Sequence, residues 1–341
     1  MQTTDHHRLL IKLARLYYEQ GLTHAEIAER LRLSRQKVQR LLVQAREKGI
    51  VQILIRPLTG TFGELEKGLE DLYQLREVLI VETSAYDNQS IVAREVGAGA
   101  ADYLKRVVRS RDRIVIGWGE SLLGMVNALS ISSSIEVEDL TVIQGLGGLS
   151  DPNEEVHASD LTRRLAKHLG AHAFLLLAPA VAASENAREA LLSDQYTATV
   201  LEKARTANLA FMGIGAPRRD SMLVREGSVV SWRNLADLMK QGAVGDINLR
   251  YFDALGQRIA SELDDRIIGL TLDEIRRIEL VVGVTGGSAK YKAIQAALKG
   301  KLIDVLVTDH VTAQQLLNQK GLKYPYESSP VLAPRVKTKK G

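Results

Sequence analysis

The chain has 341 residues, 45% hydrophobic and 25% charged, a balance that excludes fibrous and disordered classes and suits one small and one large globular domain. Aromatics are only 5%, so an aliphatic core is expected, and the absence of cysteine excludes disulfides, thiolate zinc sites and cysteine nucleophiles. The net charge of +4 is uneven: residues 1–56 hold 11 Lys/Arg against 5 Asp/Glu, and the remainder 34 against 36. A basic head on a near-neutral body points to a nucleic-acid partner for the head. The opening residues Met1 to His7 are polar and lack an apolar leader, and no run of about 18 apolar residues occurs, so a cytoplasmic protein without a membrane partner is expected.

In chain order, a first helix is predicted over about 7–20, with Leu9, Leu10, Leu13, Leu16 and Tyr17 facing inward and Gly21 as its stop. Thr23 and Glu26 make a T-x-x-E capping box, which starts a second helix with Ile27, Ala28 and Leu31 on one face. Arg32 and Leu33 form a tight turn, and Ser34 caps a third helix. There Val38, Leu41, Leu42 and Ala45 share one side, while Arg35, Gln36, Gln39, Arg40 and Val43 fall largely on the other. This is a helix-turn-helix pattern. Arg and Gln suit bidentate bonds to guanine and adenine edges in the major groove, and Lys37 suits a phosphate. The expected contacts with double-stranded DNA are Thr23, Ser34, Arg35, Gln36, Lys37, Gln39 and Arg40. The plain alternative, a surface hairpin with solvated charges, does not account for two caps, a short turn and a basic outer face together.

Gly49 ends the third helix, Ile50 to Ile55 reads as a short strand (a wing, or a return to the body), and Arg56 to Gly60 as a hinge. Residues 61–75, with Phe62, Leu65, Leu69 and Leu72, form an amphipathic helix that serves as linker or dimer seam. The expected organisation is 1–56 head, 57–75 linker helix, 76–330 α/β body and 331–341 tail, the last carrying Arg335, Lys337, Lys339 and Lys340.

From residue 76 short apolar runs alternate with helical stretches. The runs are Val78–Val81, Ile114–Ile116, Leu140–Ile143, Ala173–Leu177, Leu209–Ile214, Leu280–Val284 and Val305–Val307; helices include Ile91–Val108, Leu161–Leu169 and Tyr291–Lys299. This alternation predicts an α/β domain with a mostly parallel sheet.

Glycines cluster just after the strands: Gly117 and Gly119, followed by Glu120 and Ser121; Gly145, Gly147 and Gly148; Gly213 and Gly215; Gly286 and Gly287. In open α/β sheets ligands sit beyond the carboxyl ends of the strands, where glycine lets backbone approach an anion and helix N-termini supply free N–H groups. Each loop alone is equally a tight β–α turn. Four in the same relative position point to a rim for a phosphorylated small molecule. Lys290, placed in the first turn of a helix where the macrodipole disfavours a cation, fits a bound phosphate. In the segment Gly242 to Asp253, Asp246 and Asn248 are candidates for sugar hydroxyls; Asp246 is equally readable as a turn acid before a strand.

These residues carry a resemblance. Gly21 through Leu42, the Gly117–Ser121 loop, Gly147-Gly148, Gly242–Phe252, Gly283–Lys290 and the strand end Leu302–Asp309 are similar to the SorC/DeoR-type family of bacterial sugar-responsive transcription regulators, over roughly residues 8–318. The resemblance implies a winged-helix-like head and a body related to the ribose-5-phosphate isomerase and CoA-transferase type of fold. It further implies a repressor of a carbohydrate-utilisation operon, a phosphorylated sugar or polyol effector, and a homo-oligomer, commonly a tetramer built as a pair of dimers. By motif position Asp246 would hold hydroxyls and Lys290 the phosphate. The rival is a sugar-phosphate isomerase or deaminase with an accessory head, for which Asp246, Glu120, Asp309 and His310 are the available acids and bases. No H-E-x-x-H, P-loop or G-x-S-x-G motif occurs, His157, His168 and His172 read as structural or surface residues, and neither metal nor cofactor is expected.

Overall fold

The computed structural model describes residues 2–51, 62–129, 137–148, 158–218 and 230–318. Contacts divide the chain into two compact units, Met1–Thr59 and Gly60–Gly341.

In the first unit α1 (Gln2–Ala14) runs into a π-helical turn, Arg15–Glu19, in which the Gln20 N–H reaches back to the Arg15 carbonyl. The helix therefore starts earlier than its apolar pattern and ends in a widened turn; Gly21, with φ +68°, lets the chain break away. The capping box on α2 (His24–Leu31) is complete: Glu26 N–H donates to Thr23 Oγ1, and the Glu26 carboxylate accepts from the Thr23 N–H at 2.7 Å. Arg32 takes a left-handed conformation at the turn, and Ser34 Oγ accepts from Lys37 N–H at the start of α3 (Arg35–Glu47). Leu10, Leu13, Leu16, Ile27, Val38, Leu41, Leu42 and Ala45 form the buried core, with Ile50 and Val51 packed against it. The strand expected over 50–55 lies, from residue 52 on, outside the described residues, as do the expected hinge and the basic tail.

In the second unit α4 (Gly63–Tyr73) precedes seven strands: β1 (Glu77–Val81), β2 (Arg113–Ile116), β3 (Thr141–Gln144), β4 (His172–Phe174), β5 (Leu209–Gly213), β8 (Leu280–Val284) and β9 (Val305–Asp309). They form one sheet in the order β1-β9-β8-β5-β2-β3-β4, every pairing parallel. A separate antiparallel hairpin joins β6 (Gly245–Ile247) to β7 (Arg250–Phe252). The helices are α5 (Gln89–Val107), α6 (Glu120–Ala128), α7 (Ala158–Leu169), α8 (Glu185–Ser193), α9 (Gln195–Arg205), α10 (Trp232–Lys240), α11 (Leu272–Arg276), α12 (Tyr291–Lys299) and α13 (His310–Asn318).

Alternate strand residues serve opposite faces, as the pleat requires. Ile114, Ile116, Phe211, Val282 and Val307 pack with α5, α6 and α7; Val115, Ala210, Met212, Val281 and Leu306 pack with α4, α9, α12 and α13. Strand β4 is shorter than the run Ala173–Leu177 suggests, because the Leu176 N–H leaves the ladder for the Gln144 side-chain carbonyl and Leu177 turns out to solvent.

Helix α4 turns its apolar face, with Leu69 fully buried and Leu65 and Leu72 beside it, onto this body. It also covers the edge strand: Glu70 accepts from Val78 N–H at 2.9 Å and Glu66 from Ile80 N–H at 3.0 Å. An exposed strand edge is thereby blunted, and the burial this requires raises the Glu66 pKa.

The hairpin is held by a buried guanidinium. Arg250, 3% exposed, donates to Asp264 Oδ1 at 2.8 Å and to the carbonyls of Asp264, Ile267, Gly269 and Leu270. The segment it holds pairs in turn with Leu146 through Gly269 and with Val181 through Ile267. Arg250→Met leaves these carbonyls without their donor, and a loss of about 3–5 kcal/mol is expected, read as a lower urea midpoint at unchanged slope. A loss below about 1 kcal/mol would contradict this role.

Candidate effector site and DNA-reading face

From the middle of the sheet, β2, β3 and β4 step one way and β5, β8 and β9 the other. The β2/β5 boundary is thus a topological switch point, the place where open α/β sheets leave a crevice beyond the carboxyl ends. The predicted glycine loops all emerge there: Gly117–Ser121 after β2, Gly145–Gly148 after β3, Gly213–Gly215 after β5 and Thr285–Gly287 after β8.

The hairpin closes over this end. Gly215 and Asp246 exchange backbone hydrogen bonds of 2.9 and 3.2 Å. Asn248 and Leu249 both have positive φ, 52° and 63°, which makes a two-residue turn of the type that matches strand twist. Leucine is strained in that region, and such strain persists only where neighbours fix it. Here the Leu249 N–H donates to Asp246 Oδ2 at 3.2 Å, and Leu249 and its neighbour Tyr251 are buried among Leu146, Leu235 and Ile267. Asn248 is buried, and its Nδ2 donates to the Gly145 carbonyl at 3.3 Å. Its amide wedges the hairpin between the β2 and β3 loops, so its place is a positioning one rather than the open contact with hydroxyls read from sequence.

The glycine loops divide. The N–H groups of Gly117, Gly147, Gly148, Gly215 and Gly287 already donate within the protein, to Phe211 O, Ile268 O, Ala178 O, Asp246 O and the Asp309 carboxylate. Side chains are excluded by close approach: a Cβ on Gly215 would collide with Asp246 Oδ1, and one on Gly147 with the Pro179 carbonyl. Gly213 and Gly286 are likewise packed against the Trp118 carbonyl and Asp309. The β2 loop differs. Gly119, at φ +124°, opens α6 with no side-chain cap, and its surroundings are empty. The first-turn N–H groups at Glu120, Ser121 and Leu122 have no acceptor among the described residues. The Ser121 hydroxyl is buried with no partner among the described residues. Of the four expected phosphate cradles, this is the one that keeps the chemistry of an anion or hydroxyl site.

Asp246, 4% exposed, is, like Asp309, a buried carboxylate of this end. Burial pushes its pKa up to about 6, against the pull of the Leu249 N–H and of Lys290. Lys290 closes a 3-10 turn, Ser288–Lys290, at the residue before α12 rather than inside its first turn. Burial lowers its pKa, while Glu120 and Asp246 hold its charge. One cation therefore faces two carboxylates. Of the other candidate bases, Asp309 is spent on Thr312 and Gly287, and His310 Nδ1 accepts the Thr83 N–H and stacks on Phe62. Tyr251, opposite Asp246 in the hairpin, was not foreseen: its buried hydroxyl has no partner, and burial with the nearby Asp246 charge drives its pKa well up. Only the alternation in Gly245–Phe252 could have placed it, and Asn-Leu is not the usual sequence of such a turn.

On the head, Arg35, Gln36, Lys37, Gln39, Arg40 and Val43 are exposed on α3, opposite its buried apolar side. None of those four-carbon and guanidinium cations is in an ion pair among the described residues. Thr23 and Ser34 are exposed too, but their hydroxyls cap helices.

A family model described as "Putative sugar-binding domain" matches residues 58–318, and one for "Sigma-70, region 4" matches 4–48. The deoxyribonucleoside regulator of Bacillus subtilis is 31% identical, over 91% of this chain and 97% of its own. The transcriptional regulator LsrR of an Enterobacter species is 32% identical, over 92% and 94%. The chain belongs to the SorC/DeoR-type family of sugar-binding transcription regulators. The crystal structure of the sorbitol operon regulator SorC from Klebsiella pneumoniae shares this regulator's fold with a TM-score of 0.68 at 28% identity, over 91% of this chain and 98% of that one.

Because Asp246 has a higher pKa folded than unfolded, its ionised form costs stability above pH 6, and the cost is relieved as pH falls toward the ordinary aspartate value of 3.8. Asp246→Asn is expected to raise the stability of the unliganded regulator at pH 7.5, by about 3 kcal/mol at most, with the gap to the parent closing between pH 6 and 4. A variant that melts lower than the parent at pH 7.5 would contradict this reading.

Proposed function

We propose that the regulator represses a carbohydrate-utilisation operon and that the crevice beside Asp246 is its effector site. The observation that carries this reading is a carboxylate, Asp246, buried beside Lys290 at the switch point of the sheet. Such a group is retained for what it binds rather than for the fold. The effector is a phosphorylated sugar or polyol. Its hydroxyls go to Asp246, and its phosphate goes to Lys290 with the free N–H groups and Ser121 hydroxyl at the start of α6. Glu120 then accepts a hydroxyl of the effector and sets the spacing between phosphate and ring.

The head inserts α3 into the major groove of duplex DNA, Arg35, Gln36, Gln39 and Arg40 reading base edges or adjacent phosphates and Lys37 a phosphate. A cytoplasmic homo-oligomer, a tetramer paired from dimers, presents two or more heads to a symmetric operator. In this reading the effector is bound rather than turned over: of the candidate bases, Asp309 and His310 are occupied by the protein's own groups.

The test is a thermal-shift screen of sugar and polyol phosphates beside their unphosphorylated forms. A ligand at a hundred times its Kd stabilises by about 2.7 kcal/mol. A phosphorylated member is expected to shift the parent strongly, Lys290→Met weakly and Asp246→Ala not at all. Equal shifts from the free and phosphorylated forms would remove the phosphate, and rapid conversion of the ligand would restore the enzymatic reading. For the head, Gln36→Ala with Gln39→Ala is expected to erase preference for the operator over random duplex in a mobility-shift titration. Unchanged discrimination would show that α3 is not the reader.

A further inference from the structure

The head carries an aromatic cluster that its fold does not use. The widened turn Arg15–Glu19 keeps Leu16 buried while both Tyr17 and Tyr18 project outward, 37% and 40% exposed. π-helical turns of this kind are rare and concentrate at functional sites. The two tyrosine rings meet edge to face at 4.9 Å, and Tyr17 stacks on His24, the first residue of α2, at 5.1 Å. These three rings form one side of an open groove of about 820 Å³, whose other side is Arg35, Gln36 and Gln39 on α3. Among the described residues no acidic side chain lines it. The groove lies in a unit with six more basic than acidic residues over 1–56, and the N-terminus of α2, whose partial charge favours anions, lies on its border.

We infer that this groove seats one sugar–phosphate strand of the operator beside the bases read by α3. Tyr17 and Tyr18 donate their hydroxyls, and His24 an imidazole N–H, to phosphate oxygens. The inference rests on the DNA-binding reading above and extends the interface from α3 to the end of α1. The stack on His24 fixes the rings in advance, so little side-chain freedom is lost on binding. The Thr23 hydroxyl is not part of the clamp, since it donates to the Glu26 carboxylate at 2.7 Å. Contacts of this class position the protein and carry no sequence information.

The experiment titrates full-length Tyr17→Phe/Tyr18→Phe and His24→Ala against operator and scrambled duplexes at fixed salt. Phenylalanine keeps the ring packing, and thermal melts matched to the parent confirm an intact head. A loss of about tenfold on both duplexes, with the ratio between them preserved, is expected. Unchanged affinity on both duplexes, or a loss on the operator alone, overturns the inference. The α3 pair Gln36→Ala/Gln39→Ala runs alongside: if the tyrosine variants bind normally while that pair loses discrimination, the clamp fails and the DNA-reading assignment stands. If that pair is also silent, both fall.

Discussion

The end of the body that carries the β6–β7 hairpin depends on the buried guanidinium of Arg250. A parallel sheet with helices on both faces leaves its strand ends as loops, and loops alone do not hold a carboxylate at fixed geometry. Arg250 ties the β6–β7 hairpin to the segment 264–270, and that segment is tied by backbone pairing to the loop after β3. With the hairpin fixed, Gly215 pairs with Asp246 and Asn248 wedges between Gly117 and Gly145. A buried ion pair as a whole gains little net stability over well-packed hydrophobes, although removing one member alone is costly. Its advantage is that only one arrangement satisfies all its donors.

That rigidity explains how the site can hold unfavourable chemistry. Asp246 is buried with Lys290 as its nearby cation, Leu249 sits in a left-handed conformation, and the hydroxyls of Ser121 and Tyr251 are buried with no partner among the described residues. In the proposed reading the effector's hydroxyls supply partners to Ser121, Tyr251 and the Asp246 carboxylate, the groups least satisfied in the unliganded protein. On that reading the occupied and empty states differ in how well these groups are satisfied. A regulator needs this difference, since an effector shifts an equilibrium only by its differential affinity for the two states.

Much of this was legible in the chain, and the limits have physical causes. Strands β2, β5 and β8 are apolar runs that end at or next to a glycine-bearing loop and β9 is an apolar run between Asp304 and His310, so the apolar pattern found them within a residue or two. The head was readable because Thr23, Glu26 and Ser34 cap through their own local bonds. Lys290 was placed near the correct helix, but the 3-10 turn before α12 has no sequence mark. The glycines were read as one kind of residue, whereas the structure separates those needed for close approach, such as Gly147 and Gly215, from Gly119, which leaves donors free. That distinction depends on Pro179, Ala178 and Asp246, residues tens of positions away or contributed by another element. Arg250 was passed over for the same reason: its partners at 264–270 come together only through the fold. The π-helical turn at Arg15–Glu19 followed from no propensity signal.

The central claim is that the crevice and the DNA-reading head share one equilibrium. By linkage, an effector that changes operator affinity by some factor must have its own affinity changed by that same factor when operator is saturating. The direct measurement is the Kd of a sugar phosphate for the full-length protein, determined by calorimetry with and without saturating operator duplex, beside the operator Kd with and without saturating effector. The account predicts two equal ratios, both far from one. Ratios of one, with both ligands bound tightly, would show two independent sites on one chain and would contradict it.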